Sequence, residues 1–129
     1  MASREETKKS SFRGLRVMVA EDDWLLALNI QAMLDELGCA VIGPAANVND
    51  AQRLAEENSF DIALLDVRFQ YNDTSNLIAQ ILKKKRVPFA YVTGYSESDL
   101  RQWNMPKAFI LQKPVTASNL AATITVLSK

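Results

Sequence analysis

The chain has 129 residues, enough for one domain with a sizeable hydrophobic core. Its Lys and Arg residues number 15, as do its Asp and Glu residues, so no net field attracts nucleic acid or an anionic membrane to this chain alone. The single Cys39 excludes an internal disulfide, and the absence of histidine excludes imidazole metal sites, His-dependent triads and a phosphohistidine carried by this chain.

Residues 1–13 are polar, have mixed charge and contain no apolar run of the kind that a secretory signal needs. We predict that they form a flexible polar tail and that one domain covers residues 14–129. No later stretch approaches the ~18 consecutive apolar residues of a membrane span. Together with the lone cysteine, these features predict a cytoplasmic protein.

Five short apolar runs follow the tail, and segments with helical spacing of apolar residues separate them. The first such helix is predicted to end at Gly38, and Asn47 is predicted to cap the second. The alternation predicts an α/β fold, a flavodoxin-like (βα)5 doubly wound sandwich with a five-stranded parallel sheet. The runs are at 15–20, 39–45, 60–66, 87–94 and 107–114.

The segment between the fourth and fifth runs has few apolar residues. Its sequence, SESDLRQWNMP, leaves room for about two helical turns before Pro106 stops the helix. We therefore predict a short or mobile fourth helix.

Polar side chains follow four of the predicted strands at their carboxyl ends. Ligands of parallel α/β sheets bind beyond these ends, at the point where the strand order reverses. We therefore expect the polar residues to converge on one rim of the sheet. They are Glu21 and Asp22 after the first strand, Asp66 after the third, Thr93 with the adjacent Gly94 after the fourth, and Lys113, which Pro114 follows, after the fifth.

A shared cation explains why the first apolar run is followed directly by acids. Carboxylates suit a hard divalent ion, Mg²⁺ or Mn²⁺, with Asp22 and Asp66 as direct ligands and Glu21 acting through water. A carboxylate beside such an ion can attack a phosphoryl group and form an aspartyl phosphate. Lys113 would neutralise charge, and the Thr93 hydroxyl would bind phosphoryl oxygens.

Each of these elements also has a purely structural interpretation. An acidic pair after a strand is often the start of a helix, and an Asp after a strand often forms a turn. The run KKKR at 83–86 is most simply the solvated end of a helix. The specificity of the pattern comes from the order of the acids, Asp, Thr and Lys along the chain.

That ordered set, an acidic pair followed by LLDV, VTG and LQKP, resembles the receiver domains of bacterial two-component response regulators over residues 14–128. The resemblance implies that Asp66 is the phosphoacceptor and that Thr93 and Lys113 are the switch hydroxyl and the invariant lysine. It also implies that the Lys113–Pro114 bond is cis.

The resemblance further implies a metal site and a set of modulating residues. Glu21 and Asp22 match the acidic pair of the family, with the backbone carbonyl of Arg68 as a further ligand, while Asp23 is left to begin the first helix. Arg68 and Tyr95 stand two residues after Asp66 and Thr93, at positions that tune the lifetime of the phosphoryl group. Gly94 and Pro114 complete the modulating positions.

Two departures from the family pattern are informative. The aromatic switch residue expected three positions before the lysine is replaced by Ile110. The stretch PFAYVTGY at 88–95 resembles the motif of single-domain regulators of the FATGUY-like subclass, which have an atypical fourth helix. Members of that subclass tend to pair with histidine kinases of the HWE class, so the resemblance implies such a partner.

These features predict a phosphoacceptor that takes a phosphoryl group from a sensor histidine kinase and later loses it to water. The chain would catalyse both steps on itself without being a conventional multiple-turnover enzyme. Its output is a contact with an unknown downstream protein, or it drains phosphate from a shared kinase. A receiver-fold binding module without phosphorylation is an alternative, and so is a haloacid dehalogenase-type phosphatase, although the latter needs an Asp where Arg68 stands.

Overall fold

The computed structural model describes residues 12–67, 76–95, 97–102 and 109–129. Strands and helices alternate along these ranges, as the sequence predicts. The strands are β1 (Arg16–Ala20), β2 (Ala40–Ala45), β3 (Ile62–Asp66), β4 (Phe89–Thr93) and β5 (Phe109–Gln112). The helices are α1 (Trp24–Glu36), α2 (Val48–Glu57), α3 (Asn76–Lys84), α4 (Glu97–Gln102) and α5 (Ala117–Leu127).

The sheet has the strand order β2-β1-β3-β4-β5, and every neighbouring pair is parallel. This order confirms the predicted doubly wound fold. The strand order reverses between β1 and β3, where Ala20 pairs with Leu65. The residues that follow these two, Glu21 and Asp66, therefore begin the rim side by side.

Helices cover both faces of the sheet, and each face has its own hydrophobic core. Strand β3 shows the division, because all five of its residues are buried and successive side chains point to opposite faces. Ile62 and Leu64 join the core that includes residues of α1 and α5. Ala63 and Leu65 join the core that includes residues of α2 and α3. Phe12, within the predicted tail, packs partly buried against the first of these cores.

The helix ends follow the local signals in the sequence. The Asn47 side chain accepts a hydrogen bond from the backbone N–H of Asp50 at 2.8 Å, which confirms the predicted cap. Gly38 has a φ of 87° directly after α1, a conformation that glycine adopts without strain. Helix α4 has only six residues, which confirms that the fourth helix is short.

The basic run at 83–86 is exposed at the end of α3, as predicted, and one of its members also makes specific contacts. The Lys85 ammonium donates to the carbonyls of Ala55 and Asn58, the second at 2.9 Å, and lies 5.1 Å from the centre of the Phe60 ring. These carbonyls belong to the C-terminal end of α2, where a cation is favoured. Lys85 therefore ties the end of α2 to the end of α3.

Candidate functional site

Three carboxylates meet at the carboxyl ends of β1 and β3. One carboxylate oxygen from each of Glu21, Asp22 and Asp66 lies within 4.8 Å of the other two. Glu21 and Asp66 are buried, with 2% and 8% of their surface exposed, whereas Asp22 is partly exposed. The acids that the sequence places at two strand ends are thus brought together by the topology of the sheet.

Glu21 is held in place by the backbone on either side of it. Its N–H donates to the Ala45 carbonyl of β2 at 2.9 Å, and its Oε2 accepts from the Asp23 N–H at 3.1 Å. The Asp23 side chain is itself occupied, because its Oδ1 caps α1 by accepting from the N–H groups of Leu25 and Leu26. This confirms Asp23 as the start of the first helix. Neither backbone contact of Glu21 has a signal in the sequence.

The buried Glu21 carboxylate lacks full compensation for its charge. Its Oε1 has no hydrogen-bond partner in the described part of the chain, and the Lys113 ammonium lies 3.8 Å away, beyond hydrogen-bonding distance. Burial raises the pKa of Glu21, while the hydrogen bonds from Asp23 and with Asp66 and the charge of Lys113 oppose the increase. A second positive charge at this point would therefore stabilise the ionised site.

The donor set fits a hard divalent cation. Mg²⁺ binds oxygen ligands at about 2.0–2.1 Å, so ligands on opposite sides of the ion are about 4.2 Å apart. Three oxygens within 4.8 Å of one another need only small movements to reach a common ion, directly or through water. The Oε1 atom of Glu21, which has no hydrogen-bond partner among the described residues, adds a buried acceptor that a cation would stabilise. The predicted carbonyl ligand, Arg68, lies outside the described residues.

Thr93 and Lys113 reach the rim from β4 and β5. Thr93 pairs with Gln112 in the sheet, and the next N–H, that of Lys113, donates to the Thr93 carbonyl at 2.8 Å. The Thr93 side chain is 2% exposed, and its hydroxyl accepts from the Tyr95 N–H at 3.0 Å. The Lys113–Pro114 peptide is cis, as the resemblance implies.

Gly94 and Tyr95, which the sequence predicts to be modulating residues, follow Thr93 directly. A Cβ built on Gly94 would meet no described atom within 4 Å, so a small side chain would fit there. The Tyr95 side chain is 39% exposed beside the site. The ion pair of Lys113 with Glu21 is a contact that the sequence reasoning missed, because it assigned the lysine to phosphoryl oxygens.

Known proteins share this arrangement of sequence and fold. The family model of the response regulator receiver domain matches residues 17–125. The transcriptional regulatory protein PdtaR of Mycobacterium tuberculosis is 31% identical over an alignment of 111 residues, and the alignment covers 84% of this chain and 54% of PdtaR. The chain thus spans about half the length of this relative.

Two solved structures illustrate the similarity of fold. SdrG from Sphingomonas melonis Fr1 is 28% identical, with a TM-score of 0.73 over 88% of this chain and 96% of SdrG. The receiver domain of the sensor histidine kinase PA1611 from Pseudomonas aeruginosa, solved with a magnesium ion in its active-site cleft, is 23% identical. Its TM-score is 0.78 over 89% of this chain and 98% of that domain. The motifs, the sheet order and the family match together establish that the chain belongs to the response regulator receiver domain family.

Proposed function

We propose that this chain is the phosphoacceptor of a two-component pathway, with Asp66 as the residue that takes the phosphoryl group. The observation that carries the proposal is the convergence of three carboxylates, 4.8 Å or less apart, beside the Thr93 hydroxyl and the Lys113 ammonium. Membership of the receiver family supports the same reaction. The donor is a phosphohistidine on another protein, because this chain contains no histidine.

The chemistry follows from the position of each carboxylate. An Asp66 oxygen attacks phosphorus, the bond from phosphorus to the imidazole nitrogen breaks, and the imidazole leaves with its electron pair. Asp22 and Asp66 would hold the divalent ion directly, with Glu21 acting through water and the Arg68 carbonyl as a further ligand. The ion, Mg²⁺ or Mn²⁺, would supply neutralisation of the charge on the phosphoryl oxygens. The magnesium in the cleft of the PA1611 receiver domain supports this assignment.

Thr93 and Lys113 respond to the new charge on Asp66. The Thr93 hydroxyl turns from the Tyr95 N–H toward a phosphoryl oxygen, and Lys113 forms an ion pair with the same group. Water later removes the phosphoryl group, at a rate that the residues at the modulating positions, Arg68, Gly94 and Tyr95, tune. Pro114 fixes the direction in which the chain leaves the lysine.

The partners follow from the same chemistry. A kinase that reaches Asp66 must cover the start of α1, which exposes the large apolar side chains of Trp24, Leu25 and Leu28. The FATGUY-like motif at 88–95 favours a kinase of the HWE class and a single-domain regulator. The output is a contact with a downstream protein or the draining of phosphate from a shared kinase. Among the described residues no helix has the length and apolarity needed to cross a bilayer. We propose the bacterial cytoplasm as the location of this pathway.

The direct test is the intact mass of the protein after incubation with acetyl phosphate and Mg²⁺, with Asp66→Asn as the matched control. One added phosphoryl group is expected on the wild type, none without Mg²⁺ and none on the variant. A wild type that stays unmodified is then mixed with a phosphorylated histidine kinase, since some receivers refuse small donors. Failure with both donors would refute the proposal and leave the binding module as the better hypothesis.

A further inference from the structure

A buried hydroxyl on β4 is left without a partner by the fold. Tyr91 is 1% exposed, and no described group lies within hydrogen-bonding distance of its hydroxyl. The ring itself is well placed, because it meets the Phe89 ring edge-on with the centroids 5.6 Å apart. A phenylalanine would keep this contact without burying an unsatisfied polar group. The hydroxyl therefore destabilises the conformation described here.

Tyr91 lies close along the strands to two residues of the site. It lies two residues before Thr93 on the same strand, so both side chains leave the same face of β4. Its pairing partner on β5 is Ile110, three residues before Lys113. The two residues that respond to phosphorylation therefore follow Tyr91 and its partner closely along their strands.

Tyr91 lies on the face of the sheet to which a right-handed crossover assigns α4. Tyr91 belongs to the core that includes residues of α2 and α3, and right-handed crossovers in this strand order place α4 on that same side. Helix α4 begins four residues after Thr93 and has only six residues. A movement of Thr93 toward the phosphoryl group would act first on Gly94 and Tyr95, which lead into this helix, because the Thr93 hydroxyl accepts from the Tyr95 N–H. Burial also raises the pKa of Tyr91 to about 12, so the hydroxyl remains a donor at every physiological pH.

We propose that Tyr91 is a positioning residue for the phosphorylated state, in which its hydroxyl gains the hydrogen bond that it lacks in the unphosphorylated protein. The inference rests on the proposed function, because it requires a conformational response to charge on Asp66. Tyr91 destabilises the resting conformation and stabilises the activated one. Tyr91 thereby places an aromatic side chain on β4 beside Ile110 of β5, the aliphatic residue at the position where the family pattern has an aromatic one.

The test compares wild type and Tyr91→Phe by thermal unfolding, with and without Mg²⁺ and beryllium fluoride as the phosphoryl mimic. Removing the hydroxyl is expected to raise the melting temperature of the mimic-free protein by about 3–5 °C. The additional stabilisation by the mimic should shrink, and the mimic should bind about tenfold more weakly. Phe89→Leu is the matched control: it removes the ring partner without a polar atom, so it should lower both melting temperatures and leave the effect of the mimic unchanged.

Three other outcomes would overturn the inference. A lower melting temperature of mimic-free Tyr91→Phe would mean that the hydroxyl already has a partner, such as a buried water. An equal shift with and without the mimic, beside a normal wild-type response to the mimic, would make the hydroxyl a simple defect of the core and would refute the inference alone. A wild type that is not stabilised by the mimic, and so behaves as Asp66→Asn does, would refute the proposed function and this inference with it.

Discussion

Replacing Glu21 by Gln should make the metal-free protein more stable and the metal site weaker. The amide has nearly the same shape, and its oxygen can still accept from the Asp23 N–H, so the substitution removes mainly the charge. Glu21 faces two other carboxylates within 4.8 Å and one ammonium at 3.8 Å. At an effective dielectric constant of about 20, each repulsion is about 3.5 kcal/mol and the attraction is about 4.4 kcal/mol.

The repulsions therefore exceed the attraction by about 2–3 kcal/mol before solvent screening. Screening acts on the partly exposed Asp22 and Lys113, so we take about 1 kcal/mol as the net effect on stability. This corresponds to an increase in melting temperature of about 3–5 °C in the presence of a chelator. In Mg²⁺ the variant should be less stable than the wild type, because its site offers the cation one negative charge fewer. We expect the dissociation constant of Mg²⁺ to rise about tenfold.

Thermal unfolding in a chelator and a Mg²⁺ titration of tryptophan fluorescence measure the two effects. Trp24 is suited to report the titration because it lies two residues from Asp22 and is 70% exposed. Glu57→Gln is the control for the loss of one negative charge, since Glu57 is exposed at the end of α2. Loss of stability in the chelator together with unchanged Mg²⁺ affinity would refute the reasoning. That result would mean that the ion pair with Lys113 outweighs the carboxylate cluster.

Three further predictions concern the frame that supports the site. Gly43→Ala should lower the free energy of unfolding by at least about 2 kcal/mol in urea, because φ is +102° and a Cβ would lie 2.9 Å from the Val19 carbonyl. At Gly14 φ is +80° but a Cβ would have open space, so Gly14→Ala should lower the free energy of unfolding by only about 1 kcal/mol. Equal losses in the two variants would show that the close approach at Gly43 is unimportant. Lys85→Met should lower the free energy of unfolding by about 1–2 kcal/mol, because it removes the hydrogen bonds to the end of α2. Lys84→Met, at an exposed position, is the control, and equal effects of the two substitutions would contradict the role of Lys85. Burial raises the pKa of Cys39 from 9.0 to about 11, so the folded thiol keeps a proton that the unfolded chain releases. Stability should therefore fall as the pH rises from about 9 to 11, and the fall should be smaller in Cys39→Ala; an identical pH profile in the variant would contradict the assignment.

The features that the sequence predicted well are those with a local or periodic cause. Asn47 caps α2 through a residue three positions away, and Gly38 ends α1 by its own conformation. The gathering of Glu21, Asp22 and Asp66 is a long-range result, but it follows from one rule: parallel strands bring their carboxyl ends to the same rim. Residue type and strand order were sufficient for that prediction.

The features that were missed depend on distances between backbone and side chains that no spacing reveals. Lys85 contacts carbonyls 27 and 30 residues away, and nothing in the run KKKR distinguishes it from its neighbours. The Ala45 carbonyl that holds Glu21 lies just after the Gly43–Pro44 cis bond, where the register of β1 and β2 shifts. An irregularity in β2 thus positions Glu21 at the end of the neighbouring strand, β1. The irregularity has no periodic pattern in the sequence.

The charges of the site explain why the proposed phosphorylation of Asp66 would affect Thr93. The three carboxylates carry three negative charges when ionised, which Lys113 and a divalent cation would together balance. Replacing the single charge of Asp66 by a phosphoryl group with a charge of about −1.5 to −2 leaves the rim with excess negative charge. Lys113 already contributes to the balance of the three carboxylates, so its ion pair with the phosphoryl group compensates only part of the added charge and hydrogen-bond donors must supply the rest. The Thr93 hydroxyl is the buried donor at hand, and its present bond, as acceptor from the Tyr95 N–H, does not occupy its own proton. A movement of the hydroxyl oxygen toward the phosphoryl group would also lengthen its bond with the Tyr95 N–H and so change the start of the segment that leads into α4. Strand β4 would remain paired on both sides.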